Sequence, residues 1–277
     1  SRVAQLASGG RKGLAQSIFQ VGGNAGSAMG PLLAALIVIP FGQVSIGWFA
    51  LAALLAIFIL VKIGHWYRRQ LAAAARKSAV AAVTAAHGLS KRKIRTAFVI
   101  LGVLVFSKYF YIASMTNYFT FFLMDKFAVS VQGAQYCLFA FLAASAAGTF
   151  IGGPLGDRIG RKYVIWGSIL GVAPFTLMLP YVGLVWTIAL AVVIGLVISS
   201  AFSAILVYAT DLMPGKVGMI AGVFFGLMFG LGGLGSAFFG WLADRTSIEF
   251  IFQISTLLPL LGVITGFLPD VESRKVR

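Results

Sequence analysis

A chain of 277 residues in which 60% are hydrophobic and only 10% charged lies far from soluble globular domains, where about a quarter of residues are charged. The composition specifies an all-α integral membrane protein. Its net charge of +15 sits in short gaps between long apolar runs, which excludes the basic face of a nucleic-acid-binding module. The single cysteine, Cys137, lies inside an apolar run and excludes a disulfide framework. No histidine, cysteine or carboxylate group has metal-ligand spacing, so neither metal nor cofactor is expected.

A helix that crosses a bilayer needs about 20 mostly apolar residues. Eight stretches meet or approach this: 13–39, 45–63, 96–124, 131–155, 163–180, 184–210, 217–242 and 247–268. Their breaks are turn-like, as in Pro40-Phe41-Gly42-Gln43 and Pro180-Tyr181-Val182-Gly183. Nothing alternates with period two, which argues against a barrel. The one long connection, 64–94, is basic and alanine-rich and reads as a cytoplasmic linker, with a helix on the membrane surface as one form it can take. It separates two spans in 1–63 from six in 95–277. With Ser1 in the cytoplasm, all of the 22 Lys and Arg residues fall in cytoplasmic segments except Lys126, Arg245 and the intramembrane Lys108. The expected location is therefore the inner (plasma) membrane, with both ends of the chain cytoplasmic.

Helices in lipid associate by close packing, which favours small residues four apart. The first span carries Gly22, Gly26 and Gly30 beside Pro31. The fourth carries Ala140, Ala144, Gly148, Gly152 and Gly156, and the seventh carries Gly218, Gly222, Gly226 and Gly230. One such ridge signifies helix packing. Three ridges at intervals of three spans also suggest repeated helix triplets whose smooth faces slide or rock.

Lys108 lies roughly 3 Å from the midpoint of its span at 1.5 Å per residue. A lysine there costs about 2.5–3.5 kcal/mol on insertion scales, which makes it a functional candidate. Tyr111, Met115 and Tyr118 share its helical face. Either the lysine is paired within the bundle or snorkels, or it anchors an anionic molecule with tyrosine hydroxyls beside it. The seven carboxylates all lie near span ends, and Asp211 is the best remaining proton-coupling candidate. No paired catalytic groups are present, so no enzyme activity is expected.

Between the fourth and fifth spans runs Gly153-Pro154-Leu155-Gly156-Asp157-Arg158-Ile159-Gly160-Arg161-Lys162. It resembles the cytoplasmic-loop motif of the major facilitator superfamily, where one copy follows the second helix and another the eighth. The resemblance implies a major-facilitator-type helical bundle, with the eight spans equivalent to helices 5–12 of twelve. Gly26-Ser27-Ala28-Met29-Gly30-Pro31 resembles the family's fifth-helix antiporter motif, although Ala34 and Ala35 stand where glycines are often seen. Gly13 to Asn24, Ser107 to Tyr111, Tyr163 to Thr176 and Ser200 to Ala209 resemble drug-exporting members.

What this implies is a secondary active transporter that exports a small anionic drug of the phosphonate kind by proton antiport and alternating access. Its partners would be the lipid bilayer, the anionic substrate and protons, and it would act as a monomer. Lys108, Tyr111, Met115 and Tyr118 are the expected substrate-binding residues. Gly153, Gly156, Asp157, Arg158, Gly160, Arg161 and Lys162 are the expected gate, with Asp157 meeting the start of the 13–39 helix. Another drug, a small metabolite, or a remnant without transport stay open as alternatives.

Overall fold

The computed structural model describes residues 12–77, 90–213 and 216–269. Eight helices are long and apolar enough to cross a membrane. They are α1 (Leu14–Phe41), α2 (Gln43–Arg68), α3 (Arg92–Phe127), α4 (Val131–Ile159), α5 (Arg161–Tyr181), α6 (Leu184–Leu212), α7 (Val217–Ala243) and α8 (Ile248–Phe267). All eight expected spans are present, most of them extended by a few residues. The helix containing α2 continues to Lys77, so the first part of the expected linker is helical. Residues 78–89 of that linker, Arg2, Arg11 and the basic tail from Arg274 lie outside the described residues.

Local chemistry sets the boundaries. Ser90, Ser130 and Ser247 cap the starts of α3, α4 and α8, each hydroxyl accepting from an amide three residues on. Gly160, at φ 98°, makes the turn between α4 and α5 in a backbone region open chiefly to glycine. Within α1 the hydrogen bonding slips to a π-helical segment over Ala34–Val38. α6 is interrupted at Ser200, where two helical segments meet, and α8 finishes as a tight 3-10 helix over Leu258–Phe267.

α6 is the centre of the bundle, and every residue from Ala201 to Leu212 is buried. Its C-terminal half packs with Leu104 of α3, Ile165 of α5 and Phe224 of α7. Its other half packs with Tyr111, Met115 and Phe119 of α3 and Phe141 of α4. α4 also approaches the α6 backbone closely. A Cβ added at Gly148 or Gly152 would overlap the Leu196 or Ser200 carbonyl oxygen.

α1 lies along α4 at three depths. The Leu14 amide donates to Asp157 Oδ2 at 3.3 Å, Asn24 Nδ2 to Thr149 Oγ1 at 2.7 Å, and Gln132 Nε2 to the Ala35 carbonyl at 3.1 Å. α2, by contrast, is exposed along most of its length, as at Leu54 and Phe58.

Two of the three expected small-residue ridges differ from expectation. A Cβ at Gly22, Gly26, Gly30, Gly218, Gly222, Gly226 or Gly230 would meet nothing within 4 Å among the described residues. α1 instead buries Ser17, Gln20, Ala28 and Ala35, and Pro31 sits half-buried inside that helix. α7 likewise turns Ile220, Phe224, Met228 and Phe239 inward, leaving Gly218, Gly222, Gly226 and Gly230 exposed. Larger apolar side chains win the inward face because they bury more surface and gain more contacts.

Candidate functional site

The helices part around a cavity of about 870 Å³ lined by α1, α3, α4, α6 and α7. Lys108 reaches it from α3 although the residue is only 2% exposed. Its ammonium lies 5.4 Å from the Tyr109 ring centre and 5.6 Å from that of Phe202. Ring faces attract a cation by about 0.5–2 kcal/mol, which offsets part of the cost of burial. No carboxylate lines the cavity, and no acidic group or hydrogen-bond acceptor among the described residues is paired with Lys108.

From those two rings an aromatic wall runs across the cavity. Tyr109 meets Phe202 edge-on at 5.6 Å, Phe202 meets Phe225 at 5.4 Å, and Phe225 meets Phe19 of α1 at 6.0 Å. Such edge-to-face contacts set positive ring edges against negative ring faces and stiffen the surface. The polar part of the lining is neutral. Asn24 donates to Thr149, whose hydroxyl donates to the Ser145 carbonyl at 2.9 Å with the Ser199 carbonyl at 3.3 Å. Asn117 Nδ2 donates to the Ala113 carbonyl at 2.9 Å. The result is one positive charge in an otherwise uncharged pocket.

Lys126, at the C-terminal end of the same helix, shows what a structural lysine looks like here. Its ammonium pairs with Glu249 at 2.8 Å, donates to the Pro180 carbonyl and lies over Phe122 and Phe127. Both lysines have aromatic neighbours, and Lys126 has its anion as well.

Of the four expected binding residues, only Lys108 lines the cavity. Tyr111 and Met115 are fully buried in a core cluster that also holds Ile194 and Ile198 of α6 and Phe252 of α8. Tyr118 donates to the Ser236 carbonyl at 2.6 Å and ties α3 to α7. The row that faces the cavity is Lys108, Ile112 and Thr116, at i and i+4, flanked by Tyr109 and Asn117. The row at i+3 and i+7 turns toward the core. Phe19, Gln20, Asn24, Thr149, Phe202 and Phe225 complete the site without having been singled out from sequence. A glutamine and an asparagine four apart inside a span were the available signal for the α1 contribution.

The loop after α4 ties four helix ends together. Asp157 accepts from the Leu14 amide in the first turn of α1, where the helix dipole favours a carboxylate. It also lies 3.6 Å from the Arg161 guanidinium, which pairs in turn with Asp211 of α6. Asp211 is therefore an ion-pair partner, buried near the C-terminal end of α6. Lys162 donates to the carbonyls of Leu268 at 2.6 Å and Gly266 at 3.3 Å, at the end of α8. Gly153 and Gly156 are buried beneath the turn, and Arg158 is exposed. Lys12 and Gly13 precede Leu14 at the α1 start that Asp157 meets.

Eight membrane-length helices around a one-signed cavity, with a charged loop clamping their ends, define a polytopic carrier-like bundle. Residues 103–277 match the Major Facilitator Superfamily, and the chain belongs to it. It is 60% identical over 270 residues to the fosmidomycin resistance protein of Escherichia coli (strain K12), a match covering 98% of this chain and 66% of that protein. An uncharacterized MFS-type transporter, YfnC, of Bacillus subtilis (strain 168) is 43% identical over the same share of each chain. The tetracenomycin C resistance and export protein of Streptomyces glaucescens is 25% identical over 154 residues, 53% of this chain and 28% of that one. The chain thus spans slightly less than two thirds of the length of the two relatives it matches most fully.

Proposed function

We propose that the protein is an exporter of a small anionic molecule of the phosphonate class, working by alternating access with proton antiport. The observation that carries this reading is Lys108, a buried ammonium that opens on a cavity with no acidic residue in its lining. An unpaired charge in so apolar a place is costly, and an anionic ligand removes that cost. The rings of Tyr109 and Phe202 hold the ammonium in place, and Asn24, Asn117 and Thr149 supply neutral donors and acceptors around it. The name of the 60% identical relative, which confers fosmidomycin resistance, supports both the direction of transport and the chemical class of the cargo.

In this reading the loop from Gly153 to Lys162 is the cytoplasmic gate, closed when Asp157 caps α1 and open when that contact parts. In the same reading both ends of the chain are cytoplasmic and the protein acts as a monomer in the inner membrane; the excess of Lys and Arg in segments on one side supports the orientation.

The test is Lys108→Gln in the complete transporter, assayed as uptake of a labelled phosphonate into inside-out vesicles. Uptake should fall roughly tenfold to a hundredfold, the size expected for losing a charge-assisted hydrogen bond, with transport of neutral compounds unchanged. Wild-type phosphonate uptake at matched protein levels would overturn the assignment.

A further inference from the structure

The first carboxylate in the chain is Asp125, and thirteen Lys and Arg residues precede it. Nine of them fall between Lys62 and Arg95, a stretch that holds no acid to neutralise them. Cations with a structural task have protein partners here. Lys126 meets Glu249, Arg161 meets Asp211, and Lys162 donates to carbonyls at the end of α8. Lys62, Arg68, Arg92 and Lys93 are exposed, and none of them forms an ion pair among the described residues. Water satisfies an exposed cation, so the question is which anions lie within reach.

The end of α2 answers it. The helix Phe49–Lys77 is about 44 Å long at 1.5 Å per residue, against about 30 Å of hydrocarbon. Its basic end therefore runs through the layer of lipid headgroups. Leu51, Leu55, Phe58, Lys62 and Trp66 follow one another at steps of three and four, so they form a single stripe, and all five are exposed. Position 69, an arginine, continues that register. The Lys62 ammonium lies 4.5 Å from the Phe58 ring centre, where apolar surface gives way to charge. Trp66 is the kind of amphipathic ring that sits at headgroup level.

We infer that this stripe is a binding surface for an anionic phospholipid, with Lys62 on its phosphate and Leu51, Leu55 and Phe58 along its acyl chains. A soluble acidic partner would meet the cations but has no use for the apolar half of the stripe. α3 carries Arg92 and Lys93 at its start yet turns Ala97, Leu101 and Leu104 into the core, so it pairs its charge with less lipid-facing surface. The lipid would hold the end of α2, which has few contacts of its own, at a fixed depth in the membrane.

The experiment takes the complete transporter in detergent, stripped of lipid and given equal amounts of phosphatidylglycerol and phosphatidylcholine with identical acyl chains. Native mass spectrometry counts the lipids retained, and only headgroup charge distinguishes the two. The wild-type protein should retain phosphatidylglycerol by tenfold or more, since each cation near a lipid surface contributes roughly fivefold. Lys62→Gln should lower that ratio by roughly threefold to fivefold, and Lys62→Gln with Arg69→Gln should bring it close to one. Arg92→Gln with Lys93→Gln removes as much charge and should leave the ratio within about twofold of wild type.

Equal retention of the two lipids by the wild-type protein overturns the proposal and leaves the basic stretch as an orientation signal alone. An equal fall in the two double variants overturns it too, because the attraction would then be spread over the whole stretch. None of these outcomes depends on Lys108 or on what the cavity carries.

Discussion

α4 and α7 carry the same sequence pattern, glycines four apart, and put it to opposite uses. On α4 the pattern is a contact surface: Gly148 and Gly152 let the helix touch the α6 backbone at Leu196 and Ser200. On α7 the pattern is a bare face, with Gly218, Gly222, Gly226 and Gly230 all open. Spacing of small residues permits close approach, but what decides whether approach occurs is where the larger residues of the same helix go. α7 has Phe224, Met228 and Phe239 to bury, and burying them turns its glycines away. On the α6 side, Gly195 likewise lacks a side chain where the Phe141 carbonyl oxygen and the Ser145 hydroxyl of α4 come close, so both helices contribute small residues to the contact.

Single alanine substitutions can break this contrast. The largest effect is expected at Gly148→Ala, because the new methyl meets backbone that has nowhere to go. A loss of about 3 kcal/mol in stability should appear as a lower melting temperature of the detergent-solubilised complete protein. Gly222→Ala should be smaller and of opposite sign, a gain of up to about 1 kcal/mol from helix propensity with no contact to oppose it. A loss at Gly222 as large as that at Gly148 would mean that the open face is covered in the assembled transporter. The smallest change belongs to Gly156→Ala, on the same ridge as Gly148. Its Cβ would sit 3.7 Å from the flexible Arg161 side chain and 3.8 Å from the Ala204 methyl, ordinary contact distances. Stability there should stay within about 0.5 kcal/mol of wild type by the same melting measurement.

The span pattern was legible because apolar length is a property of one segment at a time, and all eight spans appear close to their expected places. The charged loop after α4 was legible for a similar reason, since its chemistry is concentrated in one short stretch. The cavity was only half legible. Lys108 announced itself by its cost, but a helix has residues on both sides of any position, at i+3 and at i+4. Sequence periodicity does not say which row faces a void. Tyr111 and Met115 went to the core, in a cluster with residues of α6 and α8, and Ile112 and Thr116 went to the cavity. Phe202 and Phe225 belong to other helices about a hundred residues away, beyond what spacing within one helix can reveal.

Lys108 also has a history within each molecule as it is made. Its ring partner Phe202, and Phe225 behind it, are synthesised well after α3 has emerged, so α3 enters the bilayer with its ammonium still uncovered. What carries it in is its own surplus of greasy residues over a 36-residue span, each Leu, Ile or Phe near the centre returning about 0.3–0.6 kcal/mol against the lysine's cost. Co-translational insertion and the placing of a charge in the cavity therefore make opposite demands on this one helix. It must be apolar enough to enter the membrane alone and yet deliver a charge to a chamber that is finished only when α6 and α7 arrive.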